Sequence, residues 1–300
     1  MKRRAFLATA IASAFGRLAH AQGALATRPI PHSGERLPIV GIGTAVIFDY
    51  RNDAAKQSER TEVIRALIAG GGKLIDTAAG YGAAEDRLGE IVSAPGVRDK
   101  LFLATKFSFH LSRAEAEASL QASLGRLRTD RIDLMQAWNV TDAGYRLEHP
   151  REWKDAGLCR YVGITTSQER AYDAMGKVLA REQPDFLQVN YSLGAREAEK
   201  FLLPAARDAG AAVLVNLPFG RNSLFRKAGK RPLPDFAAEF GAKSWAQFFL
   251  KFILGHPAVT AVIPGTDKPE YMLDNLQAGS GPMPDAAMRK RIVQYWDSLG

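Results

Sequence analysis

Three side chains that can exchange protons follow two apolar segments of this 300-residue chain. Asp76 and Tyr81 come after the apolar pair Leu74-Ile75, in a turn of small residues, and Lys106 ends the apolar segment that begins at Leu101. A carboxylate at the end of a buried strand is unfavourable unless it has a partner, and the nearest candidate partner is Lys106. We therefore expect Asp76, Tyr81 and Lys106 to meet at adjacent strand ends as an acid–base cluster.

Such a cluster suits the proton-transfer half of a carbonyl reduction. A phenol has an ordinary pKa near 10, and a lysine ammonium beside it lowers that pKa by favouring the phenolate. Tyr81 would then protonate an oxygen that becomes an alkoxide, while Asp76 keeps Lys106 charged and oriented. Nothing in the sequence resembles a metal site, so the hydride must come from an organic cofactor. The alternative is that Asp76 caps a turn and Lys106 is solvated.

The elements that must position these residues alternate between short apolar strands and amphipathic helices. Eight strands are predicted, at 39–44, 74–75, 101–106, 132–138, 161–165, 186–190, 212–216 and 259–264. Strict alternation of this kind predicts an α/β fold, a (β/α)8 TIM barrel, with a short N-terminal β-hairpin within 27–38. An open doubly wound sheet is the alternative, and the absence of a Gly-x-Gly-x-x-Gly turn after any strand disfavours it.

One connection of the predicted barrel is long and basic. The segment from Pro218 to Phe240 follows the seventh strand and is predicted to be irregular. Its five cations are Arg221, Arg226, Lys227, Lys230 and Arg231. A long basic loop at this place in a barrel suits a phosphate-bearing ligand, and a solvated basic surface is the alternative.

Residues 1–21 have the pattern of a secretory signal peptide. The cations Lys2-Arg3-Arg4 precede an apolar run, and Ala19-His20-Ala21 has the small-x-small pattern of a cleavage site. The paired arginines resemble a twin-arginine signal. We expect the export machinery to carry the protein to the periplasm, cleavage near Ala21, and a single domain over 22–300. A cytoplasmic protein with a basic N-terminus is the alternative.

Charge and cysteine content exclude several classes of partner. Removing the four cations of residues 1–21, which contain no acid, takes the formal net charge from +8 to +4. No remaining basic cluster is interleaved with aromatic residues, so a nucleic-acid partner is not expected. No later segment is apolar enough to span a membrane. Cys159 is the only cysteine, so no intrachain disulfide can form. We also expect the protein to be a monomer.

The chain resembles the aldo-keto reductase family over nearly its whole length after residue 21. The stretches that carry the resemblance are Gly-Ile-Gly-Thr at 41–44, Ile-Asp-Thr-Ala at 75–78, Tyr-Gly at 81–82, Thr-Lys at 105–106, Arg-Ile-Asp-Leu-Met-Gln at 131–136, Trp-Lys-Asp-Ala-Gly at 153–157, Tyr-Val-Gly-Ile at 161–164, Gln-Val-Asn-Tyr-Ser at 188–192, Ile-Pro-Gly-Thr at 263–266 and Asp-Asn at 274–275. The resemblance implies a (β/α)8 barrel and NADPH-dependent reduction of a small aldehyde or ketone. It also implies an Asp-Tyr-Lys-His tetrad, whose first three members fall on Asp76, Tyr81 and Lys106.

The fourth tetrad position departs from the family, because Trp138 stands where the family has histidine. An indole N–H can donate one hydrogen bond but cannot shuttle a proton, and the ring fills more of the pocket. His110, four residues after Lys106, is a candidate to replace part of the missing function, and an ordinary loop histidine is the alternative. The departure leaves two hypotheses, a carbonyl reductase or a degenerate barrel that binds a ligand without catalysis.

The resemblance also implies a set of cofactor-binding residues. They are Thr44, Thr165, Thr166, Gln188, Asn216, Pro218, Gly265, Thr266, Lys268 and Asn275. Gln188 keeps the family's amide-binding residue, whereas Thr166 replaces its asparagine, Asn216 its stacking aromatic residue and Gly265 its lysine. Lys268 is then the remaining cation for a 2′-phosphate. NADP(H) is the expected cofactor, and NAD(H) remains the alternative.

Overall fold

Eight parallel strands form the central sheet of the protein, which a computed structural model describes over residues 24–300. The predicted signal peptide, 1–21, lies outside these residues. Two further strands, β1 (Thr27–Pro29) and β2 (Arg36–Pro38), form an antiparallel hairpin. The strands of the sheet are β3 (Ile42–Gly43), β4 (Leu74–Asp76), β5 (Phe102–Ser108), β6 (Ile132–Trp138), β7 (Cys159–Thr166), β8 (Phe186–Asn190), β9 (Ala212–Asn216) and β10 (Ala261–Val262).

The sheet closes on itself. Each strand pairs in parallel with its neighbour in sequence from β3 to β10. Parallel bridges join Val40 to Val262 and Gly43 to Gly265, and the Gly41 N–H donates to the Val262 carbonyl at 2.9 Å. The predicted TIM barrel with its N-terminal hairpin is therefore confirmed. The first and last strands are shorter than predicted and continue only as these bridges.

Helices cover the outside of the barrel. They are α1 (Ala54–Ala69), α2 (Ala84–Val92), α3 (Arg113–Leu127), α4 (Glu148–Asp155), α5 (Tyr172–Glu182), α6 (Leu202–Asp208), α7 (Ser223–Ala228), α8 (Trp245–Leu254), α9 (Pro269–Gln277) and α10 (Ala286–Asp297). Short 3₁₀ helices span Arg98–Lys100, Glu169–Ala171, Glu197–Lys200 and Asp235–Phe240. Helix α3 begins with a capping box between Ser112 and Glu115, which satisfies two N-terminal N–H groups. No helix within residues 24–300 is long and apolar enough to cross a membrane.

The prediction that the segment from Pro218 to Phe240 is irregular is wrong in part. The segment contains α7 and the 3₁₀ helix Asp235–Phe240. Leu224 and Ala228, four residues apart, are buried on one face of α7, and Phe240 is buried at the end of the 3₁₀ helix. Both helices form in this cation-rich segment because their few apolar residues pack against the core of the protein.

The hairpin closes the N-terminal end of the barrel. Ile30 and Leu37 are fully buried in the same apolar cluster as Leu74, Phe102 and Phe186, which belong to β4, β5 and β8. Since the amino ends of the strands are covered, the carboxyl ends form the open mouth where side chains can meet a ligand.

Candidate active site

Asp76 and Lys106 form a buried ion pair at the mouth of the barrel. Asp76 is the last residue of β4 and Lys106 lies in β5, the next strand. The Lys106 Nζ donates to Asp76 Oδ2 at 2.6 Å and to the Thr77 carbonyl at 2.7 Å. The two residues are 3% and 1% exposed. The structure thus brings together the pair that the sequence predicts, and each buried charge has its partner.

Two glutamines hold the other oxygen of Asp76. Gln136 and Gln188 donate to Asp76 Oδ1 at 3.1 and 2.7 Å. Gln136 was not predicted as a site residue, although it lies two positions before Trp138 on β6, and the period of a strand puts both on one face. The Asp76 carboxylate therefore has protein partners at both oxygens, which fixes its orientation beneath Lys106.

Gln188, predicted to bind the cofactor amide, is engaged by the protein in the structure. Its Nε2 also donates to Gln136 Oε1 at 3.2 Å, and its Oε1 accepts from Thr165 Oγ1 at 3.1 Å and from Asn216 Nδ2 at 3.2 Å. Gln188 therefore links the Asp76 carboxylate to Thr165 and Asn216. In this arrangement both of its amide N–H groups are used within the barrel.

Tyr81 lies over the ion pair. It sits in the turn between β4 and α2, and the Lys106 Nζ is 4.9 Å from the centre of its ring. The turn is fixed from outside by Asp49, whose Oδ1 accepts from the Ala83 N–H at 3.0 Å. Gly82 has a φ of +58°, which favours glycine, and a Cβ there would lie 2.1 Å from Asp49 Oδ1.

The pKa of Tyr81 is raised, which is contrary to the sequence-based expectation. Burial of the phenol raises its pKa, and the positive charge of Lys106 lowers it only in part. For Lys106, burial favours the neutral amine, but the Asp76 carboxylate and Tyr81 outweigh it, so the pKa of Lys106 is raised. Near neutral pH the site holds a protonated phenol beside an ammonium, so Tyr81 has a proton to give.

Trp138 packs directly against Tyr81. It is the last residue of β6, and its half-buried ring meets the Tyr81 ring edge to face, with centroids 5.5 Å apart. Gly80 makes the space, because a Cβ at that position would lie 2.4 Å from Trp138 Cζ3. His110 is exposed, and its ring contacts that of Phe109 in a tilted arrangement, with centroids 3.7 Å apart. The structure thus brings Trp138, and not His110, against the tyrosine.

Four buried polar atoms at the carboxyl ends of the strands have no hydrogen-bond partner within residues 24–300, among them Thr77 Oγ1 and Asn139 Oδ1. The other two belong to residues predicted to bind the cofactor. They are Oγ1 of Thr44, which follows β3, and Oδ1 of Asn216, which ends β9. The amide nitrogen of Asn216 is already used, since it donates to the Thr166 carbonyl at 3.3 Å. Buried polar groups are normally paired. These atoms therefore fit a ligand with polar hydrogens, such as the carboxamide and hydroxyl groups of a nicotinamide cofactor.

The remaining predicted cofactor residues follow β9 and β10. Gly265 bridges to Gly43 at the seam of the barrel, and Pro218 is buried two residues after β9. Asn275 donates to Thr266 Oγ1 at 3.0 Å, so it orients that hydroxyl. Lys268 is the N-cap residue of α9, and its Nζ lies 5.7 Å from the centre of the Tyr271 ring.

No three His, Cys, Asp or Glu side chains within residues 24–300 converge so that they could hold a metal ion. The polar groups at the mouth are instead hydroxyls, amides and the Asp76–Lys106 pair. Such groups suit an organic ligand with hydrogen-bonding groups.

Comparison with known proteins identifies the family. The family model described as "Aldo/keto reductase family" matches residues 39–294. Aldo-keto reductase YhdN of Bacillus subtilis is 31% identical over 193 residues, which cover 60% of this chain and only 57% of that protein. Methylglyoxal reductase YeaE of Escherichia coli is 30% identical over 244 residues, covering 78% of this chain and 83% of that protein.

Solved structures agree on the fold. An aldo/keto reductase from Klebsiella pneumoniae, solved in complex with NADP and acetate, superposes with a TM-score of 0.73 at 24% identity. The superposition covers 88% of this chain and 93% of that structure. Because the family model spans nearly the whole barrel, the chain belongs to the aldo/keto reductase family.

Proposed function

We propose that this protein reduces small aldehydes or ketones with hydride from NADPH. The observation that carries the proposal is the placement of Tyr81 over the buried Asp76–Lys106 pair, at the mouth of the barrel. In this position a proton donor and a fixed positive charge face the same ligand space. Membership of the aldo/keto reductase family supports the reaction class.

Bound NADPH supplies the hydride in this proposal. Tyr81 holds its proton at neutral pH, because burial raises the pKa of the phenol, and gives that proton to the substrate oxygen as negative charge develops there. The Lys106 ammonium stabilises the phenolate that remains. Asp76 keeps Lys106 charged, and Gln136 and Gln188 keep Asp76 oriented.

Trp138 takes the place of the family's histidine as the orienting group. Its indole N–H is a hydrogen-bond donor on a ring that lies beside Tyr81, so it can donate to a substrate carbonyl. It cannot exchange that proton at neutral pH, so all proton transfer rests on Tyr81. We therefore expect a slower enzyme with a narrower choice of substrates than a relative with the complete tetrad.

Thr44, Thr166 and Asn216 would hold the nicotinamide end of the cofactor, and Lys268 would face a 2′-phosphate. The unpaired atoms Thr44 Oγ1 and Asn216 Oδ1 support the first assignment. The NADP complex of the Klebsiella pneumoniae protein is consistent with the choice of NADPH. A fluorescence titration of the mature protein with NADPH and with NADH tests it, and tighter binding of NADH would contradict it.

Methylglyoxal is a suitable first substrate, because the relative YeaE is named a methylglyoxal reductase. A single-turnover assay with bound NADPH, methylglyoxal and a generic reactive aldehyde such as 4-nitrobenzaldehyde measures the reduction directly. Oxidation of NADPH that depends on the aldehyde supports the proposal. Failure to bind either dinucleotide would refute both the cofactor and the reaction.

A barrel that binds a cofactor without turnover is the second candidate. The packing of Trp138 against Tyr81 favours it, because the indole occupies space beside the proton donor. Tight NADPH binding without aldehyde-dependent oxidation would support this candidate instead.

We also propose that residues 1–21 direct export to the periplasm through a twin-arginine signal. The order of cations, apolar run and Ala19-His20-Ala21 supports this. N-terminal sequencing of the periplasmic protein should begin near Gln22. Replacing Arg3 and Arg4 by lysine should leave an uncleaved chain in the cytoplasm, and unchanged cleavage would argue against the twin-arginine route.

A further inference from the structure

Strained backbone is concentrated at the mouth of the barrel. Seven residues other than glycine within 24–300 have positive φ, and two of them, Arg128 and Gln183, are C-caps of helices. The other five all lie on connections that leave the carboxyl ends of β3, β6 and β9: Val46, Asn139, Leu217, Arg221 and Asn222. Among these five, Val46 is the one with a β-branched side chain, for which positive φ is a genuine outlier.

Val46 gains nothing from packing that would offset this strain. Its φ is +67° and its side chain is 80% exposed. It is the central residue of a γ-turn closed by the Ile47 N–H, which donates to the Ala45 carbonyl at 2.7 Å. A γ-turn with positive φ at its centre is rare and strained. Such a residue persists only where the surrounding structure imposes its conformation.

The surroundings of Val46 do impose it. The Phe48 N–H donates to the Thr44 carbonyl at 3.0 Å, and the Phe48 side chain is fully buried. Arg60, a buried residue of α1, donates from Nε to the Ile47 carbonyl at 2.9 Å and from its terminal nitrogen to the Asp267 carbonyl. The turn is therefore fixed to the helix behind it and to the connection after β10.

The same loop contacts both halves of the candidate site. At its start lies Thr44, which binds the cofactor in the proposed function. The Thr44 N–H donates to the Asp76 carbonyl at 2.9 Å. At its end, Asp49 holds the turn that carries Tyr81. The loop with Val46 at its apex is thus joined to the Asp76 strand end at its start and to the turn that carries Tyr81 at its end.

We propose that Val46 is a specificity-determining residue that contacts the apolar substituent of the carbonyl substrate. The protein then prefers aldehydes and ketones with an alkyl or aryl group over small hydrophilic ones. This inference rests on the proposed function. Trp138, the half-buried aromatic residue beside Tyr81, supplies a second apolar surface for the same substituent.

Val46→Gly tests the proposal, because glycine adopts positive φ without strain and removes only the side chain. The kcat/KM for phenylacetaldehyde should fall about ten-fold, whereas that for glycolaldehyde and the Kd for NADPH should change by less than about two-fold. The unfolding temperature should not fall. Equal losses for both aldehydes, or a lower unfolding temperature, would overturn the proposal. A weaker Kd for NADPH would place Val46 against the cofactor and would also overturn it.

Gln183→Gly is the matched control, since it relieves positive φ at a helix C-cap away from the mouth. This variant should leave kcat/KM for both aldehydes unchanged. If the wild-type protein reduces neither aldehyde, the proposed function fails. The contact with Val46 can then be tested by binding of phenylacetamide, an amide that is not reduced, to the NADPH-loaded protein. About ten-fold weaker binding to Val46→Gly would still support the contact, and equal binding would refute it.

Discussion

The Trp138 indole lies edge to face against the Tyr81 phenol, with ring centroids 5.5 Å apart and an interplanar angle of 88°. Aromatic pairs favour this arrangement because the positive edge of one ring meets the negative face of the other. Lys106 lies 4.9 Å from the centre of the same tyrosine ring. Tyr81 is therefore held between a cation and an indole.

The space for Trp138 depends on Gly80, and a double-mutant cycle tests this dependence. Gly80→Ala should destabilise the protein by about 1–3 kcal/mol, because the new methyl overlaps the indole. The same change in a Trp138→His background should have little effect, since the smaller ring leaves room. Chemical denaturation of the four proteins measures the coupling free energy. Additive effects would show that Gly80 serves the turn and not the indole.

The pH dependence of reduction should reflect the raised pKa of Tyr81. The protonated phenol is the active form, so a raised pKa keeps the single-turnover rate level through neutral pH, and the rate should fall only above about pH 10. Arg221→Gln should move this fall to higher pH, because the Arg221 charge lowers the pKa of Tyr81. Lys230→Gln removes a charge from the same segment and is the control. A fall centred near neutrality would contradict the assignment.

Removing the Lys106 ammonium should leave the buried Asp76 carboxylate without a compensating charge. Lys106→Met leaves the Asp76 carboxylate without its cation and should reduce the free energy of unfolding by about 3–5 kcal/mol. Adding Asp76→Leu should restore part of that loss, because the unpaired carboxylate is then gone. Lys100→Met, at an exposed lysine, is the control and should change stability by less than about 0.5 kcal/mol. Equal losses in the single and double variants would exclude an uncompensated charge as the cause.

A second buried lysine should make stability depend on pH. Lys251 in α8 is 1% exposed, and its Nζ donates to the carbonyls of Ser280 and Pro282 at 2.6 and 3.0 Å. Burial lowers its pKa to about 8. The unfolded chain then binds more protons above that pH, so stability should rise by about 2 kcal/mol between about pH 7 and about pH 9.5. Denaturation curves of wild type and Lys251→Met measure this, and an equal rise in both would contradict it.

The sequence was sufficient to predict the barrel because its strands are apolar and alternate with helices along the chain. The proximity of Asp76 to Lys106 was also predictable, since both end apolar segments of neighbouring strands and a buried carboxylate needs a partner. The lengths of β3 and β10, the two strands at the seam, were overestimated, because flanking apolar residues such as Val40 pair only through single bridges. Helix α7 was missed because cations surround its few apolar anchors.

Side-chain relationships across the barrel could not be predicted from the sequence. Gln136 and Gln188 meet at Asp76 only because the register of β6 and β8 brings them together. The direction of the Tyr81 pKa shift depends on the balance between burial and the charge of Lys106, which requires the folded geometry. The pairing of Gly80 with Trp138 depends on close packing between two strand ends.

Tyr81→Phe tests the central claim most directly, because it removes one hydroxyl from a ring that keeps its contacts with Lys106 and Trp138. The measurement is the single-turnover rate of NADPH oxidation by an excess of aldehyde, with the Kd for NADPH determined in parallel. The rate should fall by at least about 100-fold while the Kd changes by less than about two-fold. A variant that oxidises NADPH at the wild-type rate would show that Tyr81 is not the proton donor.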